Sequence, residues 1–403
     1  MPSKLVIGLQ HGDEGKGRVV DDICQNWAEV VVRFQGGGNA GHTVYNKEGN
    51  KFVTHILPVG ILTEGVMNYI SKGCVINPID LAKEIKEFNV KPENLKISGL
   101  TPIIEPVHLW IDKVKYQGKI GTTAKGIGPA YSSFYARDSI LFKDFVNNFQ
   151  DSYKKILENI ENFLNSNNET NIDEILYLKI LEEYKVKSTE ILECIEIISP
   201  YLSDNENFIQ DCYDQNKNIL LEGAQGWGLN VMSSNYPNVT SSMPTIGGAI
   251  NSTGLNHKQI DEVIGVIKAY KTKVGKGNFP SLCDEDNENI LIELGKEYGA
   301  TTGRKRRCGW LDLDEVKQAC VENGVDHIML TKTDVFTNIQ KPKVFYKNNL
   351  HEILKVNKVE LEDLPFNVLI DFLKETLAVD KISFTTGPNR GEIVWNPSFH
   401  MVI

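Results

Sequence analysis

Short apolar runs that each end in glycines, hydroxyls or charges constrain this chain more than any other feature. "KLVIGLQ" (4–10), "EVVVRFQ" (29–35), "NILLEG" (218–223), "EVIGVIKAY" (262–270), "HIMLTKTDVF" (327–336) and "KISFTTG" (381–387) read as buried strands. Between several of them lie helical patterns, such as "GRVVDDICQNW" directly after the first and "LDEVKQACVENG" (313–324). Apolar strands alternating with helices imply an α/β fold with a largely parallel central sheet covered by helices and long functional loops. In such sheets ligands gather beyond the carboxyl ends of the strands. The functional-looking segments here follow those runs.

Residues 144–217 differ. Rich in Asn, Glu, Lys, Ile and Leu, they have helical apolar spacing, with the Asn-rich "NSNNETN" as a loop between helices. They read as a helical insertion on one domain spanning 1–403. A net charge of −10 disfavours nonspecific attraction to nucleic acid or anionic membrane. No stretch approaches the ~20 apolar residues of a membrane span. The apolar part of the N-terminal segment is too short for a signal peptide. Seven dispersed cysteines without a CxxC pair suit reduced thiols, so a cytoplasmic protein is expected.

The loop "QHGDEGKGR" (10–18) places Gly12, Gly15 and Gly17 around Lys16, as a phosphate cradle would. A P-loop would have Ser or Thr after the lysine; here Gly17 follows, and Asp13 and Glu14 lie inside the loop. Taken alone, the segment could equally be a strand-to-helix turn with solvated charges. "GGGNAGHT" (36–43) adds backbone built to approach a ligand, with Asn39, Gly41, His42 and Thr43. "GTTAKGIGPAY" (121–131) offers Thr122 and Thr123 as uncharged phosphate contacts, with turn and cap roles as the alternative. Gln225 in "EGAQGWG" can read a heterocycle edge, and Thr240 in "YPNVTSS" is a further hydroxyl. "GATTGRKRRCGW" (299–310) sets four basic residues behind two threonines, a loop suited to a carboxylate or phosphate. "TKTD" (331–334) at a strand end is a guanine-reading pattern. The Lys332 stem can lie over the ring while Asp334 accepts from N1–H and the 2-amino group, which favours GTP over ATP.

Together, "GDEGKGR", "QGGGNAGHTV", "GTTAKGIGPAY", "EGAQGWGLN", "YPNVTSS", "GATTGRKRRCGWLD", "LTKTDV" and "TTGPNR" resemble the adenylosuccinate synthetase family in order and approximate spacing over nearly the whole chain. The resemblance implies that IMP, L-aspartate and GTP become adenylosuccinate, GDP and phosphate, with Mg²⁺. It implies Asp13 as the base at purine N1 and as a magnesium ligand beside the Gly41 carbonyl, and His42 as the acid. Lys16 and Gln225 complete the catalytic set. GTP contacts would come from Gly12, Glu14, Gly15, Lys16, Gly17, Gly41, His42, Thr43, Lys332, Asp334, Thr385 and Gly387. IMP contacts would come from Asp13, Asn39, Thr122, Thr123, Gln225, Thr240, Val274 and Arg304. Arg137 would reach the neighbouring subunit's IMP phosphate, which implies a homodimer. Thr301, Thr302, Arg304 and Arg306 would bind aspartate.

Several positions depart from the family pattern. His11 replaces a tryptophan, Gly38 a histidine, Ala124-Lys125 a Gly-Arg pair, and "LNVMSSNYPNVTSS" a stretch close to LDIDHGTYPYVTSS. They border the nucleotide pocket and keep a viral-type relative that aminates dGMP as the alternative. That type commonly replaces the loop aspartate by a smaller group, so Asp13 argues for IMP. A non-catalytic GTP-binding switch would need Ser or Thr after Lys16 and a metal-binding DxxG; neither stands where needed.

Overall fold

β1 (Ser3–Gly8) carries buried residues on both faces and lies in the middle of a ten-stranded sheet. Its neighbours are β8 (Ile219–Glu222) and β9 (Glu262–Lys268), both parallel to it, with Leu5 in register with Leu221 and Val263. On the β9 side follow β12 (His327–Thr331), β15 (Lys381–Thr385) and β16 (Ile393–Val394). On the β8 side follow β2 (Val30–Arg33), β5 (Met67–Ile70), β6 (Leu95–Ser98) and β7 (Leu202–Ser203). Every neighbouring pair is parallel except β15 and β16. The expected α/β class with a largely parallel sheet is borne out. The computed structural model describes residues 2–116, 122–167, 190–273, 278–298, 303, 305–336, 339, 342–352 and 365–396.

Alternation along the strands sorts the core into two layers. Leu5, Ile7, Val32 and Leu221 face one side, while Val6, Val31, Leu220, Ile264 and Met329 face the other. On this second side they meet Val19, Val20 and Ile23 of helix α1 (Lys16–Asn26). That burial fixes α1 beneath the sheet, so its N-terminus opens beside the carboxyl ends of the central strands.

Two apolar runs divide differently from their sequence reading. "EVIGVIKAY" splits at Ala269 into β9 and β10 (Tyr270–Lys273), which pairs antiparallel with β11 (Arg307–Asp312). "HIMLTKTDVF" is strand only to Thr331. Lys332 turns the chain at φ 59°, and a short helix covers Thr333–Phe336. Strands β5 and β6 are four residues each, too short for their periodicity to stand out.

Within 144–217, the sequence forms α5 (Phe142–Asn147) and α6 (Phe149–Asn167), which bury Phe145, Ile156 and Ile160. They share that core with Ile97 of β6, and the same stretch supplies the edge strand β7 and the helix Phe208–Asp214. All seven cysteines are buried free thiols. No described helix is long and apolar enough to cross a membrane.

Candidate active site

The loop after β1 is organised by Glu14. Its carboxylate is fully buried; one oxygen accepts from the Gln10 amide at 3.2 Å and the Gly12 amide at 2.8 Å. The other oxygen pairs with Lys16 Nζ at 2.5 Å. The Glu14 side chain is thus committed to the protein, and any part it takes toward a nucleotide falls to its backbone. Glycine is forced around it, because a Cβ on Gly8 or Gly226 would stand 2.3 or 2.4 Å from its oxygens.

Asp13 points the other way. Held at φ 60°, between Gly12 and Gly15 at similar positive angles, it keeps its carboxyl about 40% exposed. Asp13 Oδ2 forms an ion pair with Arg306 Nε at 2.9 Å. Arg306 Nη1 donates to Glu297 Oε2 at 2.6 Å, and Glu297 Oε1 accepts from Tyr270 Oη at 2.5 Å. Burial pushes the Glu297 carboxyl upward, but the charges of Lys268, Arg306 and Lys332 hold it at about 2. Arg306 is therefore anchored by a permanent anion and reaches the loop carboxylate as a fixed cation.

Gly17 stands where a P-loop has its hydroxyl because the room is taken. A Cβ there would lie 2.8 Å from Cβ of His42, the first residue of strand β3 (His42–Tyr45). His42 Nδ1 lies 2.5 Å from Glu222 Oε1, so it carries the proton and donates to the carboxylate. Arg33 Nη1 donates to the same oxygen at 3.1 Å, and the Val59 amide donates to Glu222 Oε2 at 2.8 Å. Burial first, then Arg33, lowers the His42 pKa against the upward pull of Glu222. His42 is a neutral imidazole with a fixed tautomer, its Nε2 left for a ligand.

Gln225 also has a left-handed backbone, φ 55°, and its Nε2 donates to Asn39 Oδ1 at 3.3 Å. Gln225 Oε1 is buried without a partner, an acceptor in want of a donor. Tyr131 fixes the glycine loop at Gly36. Its hydroxyl accepts from the Gly36 amide at 3.0 Å and donates to the Gly73 carbonyl at 2.7 Å.

On the other side, Thr331 Oγ1 donates to the Glu14 carbonyl at 2.6 Å, tying the phosphate loop to the segment carrying Lys332 and Asp334. Lys332 Nζ donates to the Gly295 carbonyl at 2.9 Å. Thr333 donates to the Thr385 carbonyl, and Gly387 leaves room for the Glu392 carboxylate. The structure thus brings together the loops carrying Gly12 to Gly17, His42, Asn39, Gln225, Arg306, Lys332 and Thr385. Three of the expected residues also have neighbours within the chain. Thr122 Oγ1 donates to Asp112 Oδ1 at 2.5 Å, Thr43 pairs with Val53 in the β3 hairpin, and Thr240 Oγ1 is 3.5 Å from Ser242 Oγ. Thr123 is half-buried in the same loop as Thr122. Arg137 is exposed at the far end of helix α4 (Ile127–Tyr135), nine residues beyond Gly128, where the helix meets Ser241. Val274, Thr301, Thr302 and Arg304 lie outside the described residues.

Sequence reasoning passed over Glu222, Arg33 and Glu297. For the first two the signal was present, since Arg33 is a charge inside "VVVRF" and Glu222 a carboxylate closing "NILLE". A charge in a buried strand needs a partner, and these two are partners on adjacent strands.

A glycine loop at the centre of a parallel sheet, with a carboxylate inside it and a buried His–Glu pair at its helix, defines a nucleotide-dependent enzyme. A family model described as adenylosuccinate synthetase matches residues 5–391. The adenylosuccinate synthetase of Halothermothrix orenii is 40% identical over 85% of this chain and 80% of its own length. That of Caldanaerobacter subterraneus subsp. tengcongensis is 36% identical over 98% and 99%. Among solved structures, a fully ligated adenylosuccinate synthetase of Plasmodium falciparum superposes with a TM-score of 0.83 at 28% identity, covering 98% of this chain and 100% of that one. Cyanophage S-2L succinoaminodeoxyadenylate synthetase, bound to dGMP with dATP as energy donor, has a TM-score of 0.68 at 20% identity over 98% and 95%, a likeness of fold. The chain belongs to the adenylosuccinate synthetase family. It is a GTP-dependent ligase, and the family's reaction joins L-aspartate to IMP.

Proposed function

We propose that this chain makes adenylosuccinate in two displacements governed by Asp13 and His42. Asp13 takes the N1 proton of IMP, and the resulting charge on O6 attacks the γ-phosphorus of GTP. The O6–phosphorus bond forms as the bridge to the β-phosphate breaks, releasing GDP. The amine of L-aspartate then bonds to C6, and the C6–O6 bond breaks to release phosphate. His42 acts as the acid in its imidazolium form: Nε2, once protonated, donates to the phosphoryl oxygens, while Glu222 keeps the proton on Nδ1 and stabilises the cation. Gln225, with its unpartnered Oε1, and Asn39 orient the purine nucleotide. Lys16 and the loop amides neutralise phosphate charge. Lys332, Asp334, Thr385 and Gly387 hold guanine, and Arg306 holds the aspartate carboxylate together with Thr301, Thr302 and Arg304. Thr122, Thr123, Thr240, Val274 and Arg304 line the IMP site.

The observation that carries the reading is the exposed Asp13 carboxylate inside a phosphate loop whose other carboxylate is buried and spent. Magnesium fits the same side chain. The ion is held by one or two carboxylates plus substrate phosphates, and no described cluster of three or more ligating side chains offers a rival site. Asp13 and the Gly41 carbonyl would hold it, and the ion would neutralise charge developing on the β- and γ-phosphate oxygens. One domain over 1–403, a cytoplasmic location, a homodimer sharing Arg137, and no nucleic-acid or membrane partner complete the proposal.

Phosphate release with Mg²⁺, GTP and L-aspartate tests it, comparing IMP with dGMP and GTP with ATP. Release with IMP and GTP, alongside adenylosuccinate absorbance, is expected. Preference for dGMP would leave the chemistry standing and overturn the substrate, and equal use of ATP would remove the guanine role of Asp334.

A further inference from the structure

Two cations assigned above to different substrates rest on one turn. The helix Glu285–Gly295 ends at Lys296, whose φ is 50°, and the Glu297 amide donates back to the Ile292 carbonyl at 3.0 Å. Lys332 Nζ meets this turn at the Gly295 carbonyl, 2.9 Å away. Arg306 meets it twice: its amide donates to the Glu297 carbonyl at 3.0 Å, and its Nη1 donates to Glu297 Oε2 at 2.6 Å.

The turn is itself pinned to the sheet. Glu297 is buried, and its Oε1 accepts from Tyr270 Oη at 2.5 Å. Gly295 packs against the same hydroxyl, since a Cβ there would collide with Tyr270 Oη. Tyr270 opens β10, and its carbonyl accepts from Gln10 Nε2 at 3.1 Å, where the phosphate loop begins. Each oxygen of the carboxylate thus has its own task, one gripping the sheet and the other the guanidinium.

The plainer account makes Glu297 a counter-ion for the buried Lys268. The distances weigh against it. Lys268 Nζ stands 3.4 and 3.5 Å from the two oxygens and bonds Thr272 Oγ1 more closely, whereas the short charge-assisted bond goes to Arg306.

We propose that Glu297 is a positioning residue for two substrates at once, setting the Arg306 guanidinium for the aspartate carboxylate and fixing the Gly295 carbonyl on which Lys332 rests beside guanine. The inference depends on the roles given to Arg306 and Lys332 above. Asn39 and Gln225, which orient IMP in that reading, bond each other instead.

The test measures KM for each substrate by phosphate release, with the other two saturating. Glu297→Gln keeps the length of the side chain and removes its charge. It should raise the aspartate KM about tenfold or more and the GTP KM about threefold, with the IMP KM within about twofold and kcat within about threefold of the parent. Tyr270→Phe keeps the charge but releases the carboxylate from the sheet, and it should give the same pattern with a rise of about threefold for aspartate. This second variant decides the matter if Glu297→Gln does not fold. A structural counter-ion would move all three KM values and kcat together, or none of them, and either result would overturn the role. So would a rise for aspartate without one for GTP. An inactive parent would overturn the reaction assigned above and this role with it, whereas an active parent whose variants lack the pattern would overturn the role alone.

Discussion

Asp13 and Glu14 are neighbours with opposite fates, and one backbone angle separates them. The left-handed turn at Asp13 directs its carboxyl outward while Glu14 turns under the loop to bind its amides. Asparagine tolerates that angle well. Asp13→Asn should therefore unfold near the parent temperature yet lower adenylosuccinate formation by about 10²–10⁴-fold, as expected for loss of a general base. Turnover near the parent value would remove Asp13 from the mechanism. Glu222→Gln acts through His42. Without the carboxylate that pulls its pKa upward, the imidazole titration followed by NMR should move further down, and stability should fall by about 3–5 kcal/mol because Arg33 loses its buried partner. An unmoved titration would mean that Glu222 does not govern the ring. His11 gives a separate pH effect. Burial and the charges of Lys271 and Lys273 lower it to about 3, so the unfolded chain binds its proton first as pH falls below 6.5. The stability it contributes is present above pH 6.5 and is lost progressively toward pH 3, about 2 kcal/mol being gone by pH 5. His11→Asn should flatten urea-unfolding stability between pH 7 and 5 by about that amount, and parallel profiles would refute it.

At the scale of elements, the loop "GTTAKG" shows what a departure from the family pattern costs. Ala124 occupies φ 56°, a left-handed position that penalises a Cβ by roughly 1–2 kcal/mol, and the family's usual residue there is glycine. Ala124→Gly should raise thermal stability by about 1 kcal/mol without altering the reaction; a lower Tm would show that the methyl group packs usefully. The strands and first helix of the nucleotide core were legible in the sequence because both sheet faces are covered, which writes each strand as an unbroken apolar run. Some short strands were not legible. "LS" at β7 or "MNYI" at β5 gains its conformation from the strand beside it, a contact that local pattern does not contain. The candidate site was legible as loops but not as side-chain pairs. His42 stood out beside glycines, whereas its partner Glu222 lies 180 residues away and was hidden as the last letter of a strand. Arg306 stood out as one of several basic residues, while the anion that fixes it, Glu297, precedes the motif and carried no pattern of its own.

At the scale of the molecule, Arg137 sits exposed just beyond the end of α4, nine residues after Gly128, which faces Ser241. If it completes the partner's IMP site, Arg137→Leu and Asp13→Asn proteins, each inactive alone, should recover about a quarter of parental activity when mixed and allowed to exchange. Half of the dimers would be mixed, with one intact site in two. No recovery after demonstrated exchange would show that each chain uses its own arginine.

The central place of β1 also bears on how the chain comes off the ribosome. Its six residues emerge well before both strands that flank it, which begin more than two hundred positions later, at Ile219 and Glu262. At about 5–20 residues per second, the wait before the first neighbour is made lasts roughly 10–40 s. For that interval the nascent chain carries "KLVIG" with neither edge covered, attached to a glycine loop that has nothing to close upon. The nucleotide cradle is thus synthesised long before it can take shape, and a factor that shields apolar nascent segments would act on this enzyme at β1.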